Sequence, residues 1–352
     1  MENIVITGAT GFLGSHMAAW FLNRGDRVWA IVRPESSHLE ALSVHENLKI
    51  VRVGLDRILD CVEEIGQADA WFHFAWGGVN REEIDSPVVQ AKNIEGSLNC
   101  VKAAHLLGCK FFADAGSRVE YGVTEQIMTE DMECKPVNEY GKAKLEFYEK
   151  CQRLCQELLI QYCHLRFFSV YGYGDHPWSI ISTLTRDLRK GKKVKVSACR
   201  HQWNFMYIDD AIEAVGRVYQ HMKHRNINIA AVDTTAENTA AVDTTAVDTT
   251  AENTTAADTT TVNTTAINTI AVNIASEDTR VLKEFVEEVR ELVGSGTVEY
   301  GAFVQAKEGA LSLRPDVSRL LSMTDGWREE YSFRQGIITT IKKEMEQEHE
   351  EN

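Results

Sequence analysis

The chain opens on an apolar, β-branched run, Ile4-Val5-Ile6. Three glycines follow at Gly8, Gly11 and Gly14, then Met17, Trp20 and Phe21 at helical spacing. This pattern predicts a strand, a tight turn and a helix. Apolar runs at Arg27–Val32, Asn47–Val53, Ala70–Phe74, Lys110–Ala113 and Gln161–Phe167 predict five further strands. Ser86–Leu107 and Glu139–Ile160 read as long helices between them, the second with Tyr140, Ala143, Phe147, Cys151, Leu154 and Leu158 on one stripe. Strands alternating with helices predict an α/β fold with a doubly wound parallel sheet, Rossmann-like, over residues 1–170. Beyond Phe168 a loop at Tyr171–Pro177 leads to a helix at Trp178–Lys190 and a short strand at Lys192–Val196. Asn204–Ile208 and a helix from Asp209 to about His221 are expected to rejoin the first domain, which assigns it 204–230 as well. Residues 171–352 are otherwise expected to form a smaller C-terminal substrate-binding lobe. In it, Thr279–Leu292 and Arg334–Glu348 read as helices and Gly301–Val304 as a short strand.

Residues 231–275 break this texture. They divide into pentads, AVDTT, AENTA, AVDTT, AVDTT, AENTT, AADTT, TVNTT, AINTI and AVNIA. Asn226–Ala230, N-I-N-I-A, nearly repeats the last of them. Removing 231–275 joins Ala230 to Ser276 and restores an uninterrupted strand-turn-helix pattern. A tandem expansion of one pentad at a strand end accounts for this. The pentads lack the large apolar residue that would fill a solenoid axis, so they read as an extended surface excursion. Loop-closure entropy rises slowly enough with length to tolerate it.

Composition adds limits. The 352 residues are 44% apolar and 25% charged with a net charge of −15, an ordinary globular balance. Six acids and no base fall in 231–275, and the tail 342–352 carries a net −3, so most of the acidity is peripheral. That weighs against a nucleic-acid partner. No apolar run has the length of a membrane span and no cleavable leader precedes the first strand, so a cytoplasmic location is expected, without a membrane partner. The eight cysteines form no C-x-x-C pair. Cys100, Cys151, Cys155 and Cys163 lie among apolar neighbours, which suits buried free thiols, and no metal site is expected.

The glycine turn carries the first chemistry. A strand–glycine turn–helix unit suits a dinucleotide pyrophosphate: Gly8 makes the turn, Gly11 admits the phosphates and Gly14 lets helix and strand pack. Thr10, Phe12 and Leu13 share that turn. The second strand ends Ile31-Val32-Arg33-Pro34, with Ser36 and Ser37 beyond, where an acid would select NAD. Arg33 suits a 2′-phosphate, so NADP is preferred over NAD. Asp56 follows the third strand, where adenine would lie, and Ala75-Trp76-Gly77-Gly78 follows the fourth. Tyr140 and Lys144 share one helix face, where an ammonium favours the phenolate and brings a tyrosine toward use as an acid/base. Ser117 lies at the same sheet edge.

Thr7-Gly8-x-x-Gly11-x-x-Gly14, Ser117-x-x-x-Tyr121-Gly122, Tyr140-Gly141-Lys142-Ala143-Lys144 and Arg166-Phe167-Phe168-Ser169-Val170-Tyr171-Gly172 together resemble the extended short-chain dehydrogenase/reductases, within them the NAD-dependent epimerase/dehydratase branch. That resemblance implies a nucleotide-sugar substrate. It makes Tyr140 the general acid/base, Ser117 the partner of the reacting oxygen and Lys144 the ribose ligand that tunes Tyr140. It also implies cofactor contacts at Asn93 and at the turn, and substrate contacts at Trp76, Glu120, Arg200, Asn204 and Arg314. Many relatives dimerise through helices corresponding to Ser86–Leu107 and Glu139–Ile160, and the stripe on the second suits either a homodimer or sheet packing. The family's 4,6-dehydratases carry an acidic pair after the catalytic Ser/Thr, whereas here Arg118 and Val119 stand there. Dehydration is therefore disfavoured. Two reactions remain, reduction of a nucleotide-linked 4-keto-6-deoxyhexose by NADPH and 4-epimerisation with tightly held NAD. Arg33 tips the reading toward reduction. A third alternative is a dinucleotide-binding regulator without catalysis.

Overall fold

A computed structural model describes residues 1–36, 38–80, 82–237, 267–302 and 312–350, and within these the side chains of 225–237 and of residue 350 are left aside. Ser37 and pentad residues 238–266 lie outside the described residues. The first half alternates strand and helix: β1 (Asn3–Thr7), α1 (Phe12–Asn23), β2 (Arg27–Val32), β3 (Leu48–Arg52), α2 (Cys61–Ile65), β4 (Ala70–His73), α3 (Pro87–Leu106), β5 (Phe111–Ser117), α4 (Glu139–Glu157) and β6 (Gln161–Phe167). The second half holds β7 (Ser169–Tyr171), α5 (Ile180–Arg189), β8 (Lys193–Lys195), β9 (Gln202–Tyr207), α6 (Ile208–Glu237), β10 (Thr269–Ile274), β11 (Thr279–Val281), α7 (Leu282–Val293), β12 (Thr297–Glu299), α8 (Ser318–Met323) and α9 (Phe333–Glu350).

The central sheet has seven strands in the order β3-β2-β1-β4-β5-β6-β10. Every pairing in it is parallel. The strand order reverses between β1 and β4, so the carboxyl ends of these two strands open a crevice where such sheets hold ligands. The parallel strands are covered on both faces, as their near-continuous apolar runs require. Neighbours on one strand show it: Phe72 packs with Phe21, Phe111 and Tyr219 on the face of α1 and α6, while Trp71 joins Phe112, Phe147 and Tyr162 on the face of α3 and α4. Trp20 of α1 donates to Glu213 of α6 at 2.7 Å, and α6 packs beside α1 on the same face of the sheet.

The seventh strand departs from expectation. Asn226–Ala230, expected as a strand end, lies in α6, whereas β10 is built from the last two pentads, A-I-N-T-I and A-V-N-I-A. Periodicity alone could not choose between near-identical copies of one strand sequence. Asn273 of β10 pairs in register with Arg166 of β6 and is fully buried. It accepts from Tyr121 Oη at 2.6 Å and donates to the carbonyls of Met128 and Asp316 at 2.9 and 3.0 Å. This edge of the central sheet therefore belongs to a segment that sequence reading assigns to the insert.

Two smaller sheets stand apart from the central one, β11-β9-β7 and β12-β8. The start of the expected helix at Thr279–Leu292 is instead β11, antiparallel to β9. The short strand expected at Gly301–Val304 lies earlier, at β12; residues 301–302 form a turn and 303–304 lie outside the described residues. Among the described residues, no helix is long and apolar enough to cross a membrane, and none of their His, Cys, Asp and Glu form a group of three that could hold a metal ion. All eight cysteines are free.

Candidate active site

The glycine turn takes the form a pyrophosphate needs. Gly8 has φ +71°, and a Cβ on it would press into the backbone of Phe74 and Ala75. A Cβ on Gly14 would collide with the Gly8 carbonyl oxygen. The N-terminus of α1 has only Gly11 as cap and no side-chain acceptor. By contrast α3, α4 and α5 are capped by Ser86, Asn138 and Ser179. The first-turn N–H groups of α1, Phe12 and Leu13 among them, are thus left for an external anion. A dinucleotide fits this cradle on the strength of its bare backbone and uncapped helix. Ala75 abuts Gly8 at the crevice. The Thr10 hydroxyl sits 3.5 Å from that of Ser36, which ties the loop after β2 to the turn. Asp56 is exposed in the turn after β3, at the same sheet edge. Arg33 is exposed too, with Glu35 3.9 Å away, so the cation in the expected 2′-phosphate position shares its field with a carboxylate.

Ser117, Tyr140 and Lys144 converge. Ser117 is the last residue of β5, and Tyr140 and Lys144 lie in the first turns of α4, which Asn138 caps by accepting from Gly141 N at 2.8 Å. The Lys144 ammonium is 3% exposed and donates to the Ala115 carbonyl at 2.8 Å. It lies 3.6 Å from the Trp76 ring centroid and 5.8 Å from that of Tyr140. Burial lowers its pKa to about 8, against the pull of Asp114 and Glu120. Burial pushes Tyr140 up to about 12, while a hydrogen bond with Ser117 and the charge of Arg118 act downward. Tyr140 is therefore a phenol near neutral pH.

Three residues expected to touch ligand are spent elsewhere. Glu120 is fully buried behind Ser117: one carboxylate oxygen accepts the Ser117 backbone N–H at 2.6 Å, and the other accepts from His164 and Arg166 at 2.9 and 2.8 Å. Asn204 is also fully buried; it accepts from Ser276 N and donates to the carbonyls of Ser276 and Asp278. Asn93 clamps Gly77 through both backbone groups at 2.9 Å and donates to Gln90. It shapes the Ala75–Gly78 loop from behind. A side chain whose hydrogen-bonding capacity is filled inside the fold has none left for a ligand. Trp76, anchored to Gln90 by its indole N–H, packs against Tyr140 and Lys144.

Arg200 and Arg314 do come together. Both are exposed and line a cleft of about 590 Å³ with Glu125, His201, Gln202, Thr279 and Ser312. Trp203, next to His201, carries the guanidinium of Arg118 over its ring at 5.1 Å, and the two rings meet edge to face. Arg118 joins this cleft wall to Ser117. Sequence reading used Arg118 only to disfavour dehydration.

The NAD dependent epimerase/dehydratase family model matches residues 4–230. A UDP-glucose 4-epimerase of Halalkalibacterium halodurans is 28% identical over 176 residues, 48% of this chain and 51% of that protein. A CDP-abequose synthase of Yersinia pseudotuberculosis is 24% identical over 222 residues, 60% and 71% of the two chains. The chain thus spans about half the length of the first of these relatives. A solved UDP-galactose 4-epimerase superposes with a TM-score of 0.73 at 19% identity, over 98% of this chain and 99% of that one, and shares the fold. With the family model spanning glycine turn, Ser117, Tyr140 and Lys144, the chain belongs to the NAD dependent epimerase/dehydratase family.

Proposed function

We propose that the protein exchanges a hydride at C4 of a nucleotide sugar and works as a 4-epimerase. The convergence of Ser117, Tyr140 and Lys144 at the end of β5, beside Arg118, which stacks on Trp203 next to the cleft of Arg200 and Arg314, carries this reading. In its phenolate form Tyr140 takes the proton of the C4 hydroxyl as the hydride leaves C4, and as the resulting phenol it returns that proton when the hydride comes back, while Ser117 holds the C4 oxygen. Lys144 stabilises the phenolate and would hold the ribose of the dinucleotide. Arg200 and Arg314 hold the diphosphate at the cleft mouth. The dinucleotide, when bound, supplies the hydride acceptor and donor. Arg118 and Val119 leave no acid after Ser117 to expel a C6 hydroxyl. The Arg33 contribution that favours NADP in the sequence is offset by Glu35, and NAD-driven epimerisation becomes the better reading. The UDP-glucose 4-epimerase among the relatives supports it.

A second reading, reduction of a nucleotide-linked 4-keto-6-deoxyhexose by NADPH, is favoured by Tyr140 being held as the phenol, the form that donates a proton to a ketone. Purified protein is incubated with NAD and UDP-glucose, UDP-galactose or their uronic acids, and separately with NADPH and a 4-keto-6-deoxy sugar. Interconversion without net change in nicotinamide absorbance supports epimerisation; stoichiometric NADPH oxidation replaces it with reduction. Tyr140→Phe is expected to lower turnover about 10²- to 10⁴-fold while dinucleotide binding persists. Unchanged turnover would remove Tyr140 from the chemistry.

A further inference from the structure

We propose that Arg118 is a specificity residue that pairs with an anionic substituent on the sugar, so that the preferred substrate is a nucleotide-linked uronic acid. The inference starts from a contrast among arginines. Of those with described side chains, Arg118, Arg200 and Arg314 have neither a hydrogen bond nor an ion pair among the described residues. The others are engaged by carboxylates, carbonyls or an amide, Arg24 through Gln220. The three unpartnered guanidiniums belong to one region. Arg200 and Arg314 line the cleft, and Arg118 lies over Trp203, whose ring meets the cleft residue His201.

Their order along the region matters. Arg200 and Arg314 are exposed at the cleft, where two cations match a diphosphate. Arg118 is partly buried and directly follows Ser117, and its charge acts on both Tyr140 and His201. A sugar whose C4 oxygen rests on Ser117 and Tyr140 therefore presents its ring or a ring substituent to Arg118. Burial already lowers the Arg118 pKa, to about 10, and a bound sugar would strip away more water. A neutral hexose would leave this guanidinium desolvated and unpaired, which is costly. A carboxylate on the sugar would receive two parallel N–H bonds from it. Among the described residues no carboxylate pairs with it: Glu120, two residues on, is turned to the other side and held by His164 and Arg166.

The proposal rests on the nucleotide-sugar reading of the cleft, and its test separates the two. Binding of UDP, UDP-glucose and UDP-glucuronic acid is measured by titration calorimetry on the NAD-loaded wild type, Arg118→Met and Arg118→Lys. The expected result is a preference of about tenfold or more for the uronic acid over UDP-glucose in the wild type. That preference should be abolished in Arg118→Met and partly kept in Arg118→Lys, with UDP affinity unchanged throughout. Equal affinity of the wild type for the two sugars would overturn the proposal alone. So would an Arg118→Met protein that retains the preference, or one that loses affinity equally for all three ligands, which would assign Arg118 to the diphosphate. Failure of all three compounds, and of their CDP-, GDP- and dTDP-linked counterparts, to bind the wild type would overturn the nucleotide-sugar reading and the proposal with it.

Discussion

Two arginines flank the end of β5 and differ in one respect. Behind it, Arg166 is 2% exposed and satisfied: it donates to Glu120, to Tyr121 Oη at 3.3 Å and to the Glu130 carbonyl at 3.1 Å. His164 beside it bridges Asp114 and Glu120 at 2.9 Å each. Two carboxylates thus face an imidazolium and a guanidinium in the interior. In front, Arg118 has aromatic contact but, among the described residues, no counter-charge. The paired side fixes the backbone of Ser117 through Glu120, and the unpaired side is where charge remains available to a ligand. Within one turn, counter-charge separates framework from site better than residue type does.

The largest effect should come from breaking the paired side. Glu120→Ala leaves His164 and Arg166 buried without their carboxylate and releases the Ser117 N–H. A loss of about 3–5 kcal/mol of stability is expected, read as a lowered midpoint in urea unfolding. Arg118→Met, which breaks no pair, should shift stability by only about 0.5 kcal/mol. If both variants lose the same stability, the distinction between the two sides fails.

A smaller effect is expected from pH. The charges of Asp114 and Glu120 outweigh burial and raise the His164 pKa to about 9. His164 therefore contributes stability that is complete below its unfolded value near 6.5 and is lost as pH rises through about 9. Asp114 and Glu120, both held below their ordinary values by His164, contribute stability present above the ordinary carboxylate range and lost on acidification. The melting temperature should fall between pH 7 and 10 in the wild type. In His164→Gln it should start lower at pH 7 and lose most of that alkaline slope. An unchanged slope would show that His164 is neutral in the folded protein.

Much of this was legible in the sequence. The alternating strands, the glycine turn and the Tyr140–Lys144 spacing are local patterns, and the structure assembles them as read. Ser117 was legible because a residue at the carboxyl end of a central parallel strand has few other places to be. What was not legible is where polar side chains turn. Glu120, Asn93 and Asn204 read as ligand contacts because the family resemblance implies contacts at those positions. Their partners, His164, Gly77 and Ser276, lie on other elements, 44, 16 and 72 residues away. Arg118 was passed over for the converse reason, since the absence of a partner is a property of the folded neighbourhood. The identity of β10 was hidden by repetition.

That repetition supplies the smallest expected effect. Excision of 231–275 removes β10, yet it places Ile227, Asn228, Ile229 and Ala230 where Val272, Asn273, Ile274 and Ala275 precede Ser276. The side chains that β10 buries, Val272, Asn273 and Ile274, are matched in kind. The shortened chain should recruit Asn226–Ala230 from the end of α6 into the sheet beside β6 and keep its melting temperature within a few degrees, because a shorter closing loop offsets the lost helical turns. The substitution Asn228→Asp then reads which copy is in use. In the shortened chain it replaces the amide that donates to the Met128 and Asp316 carbonyls, leaves both without a donor, and should cost about 1–3 kcal/mol. In the full-length chain the same substitution should be nearly silent, and Asn273→Asp should carry the loss instead. A shortened protein that melts far below the parent, or one indifferent to Asn228→Asp, would show that the copies are not interchangeable and that β10 depends on the residues just before it.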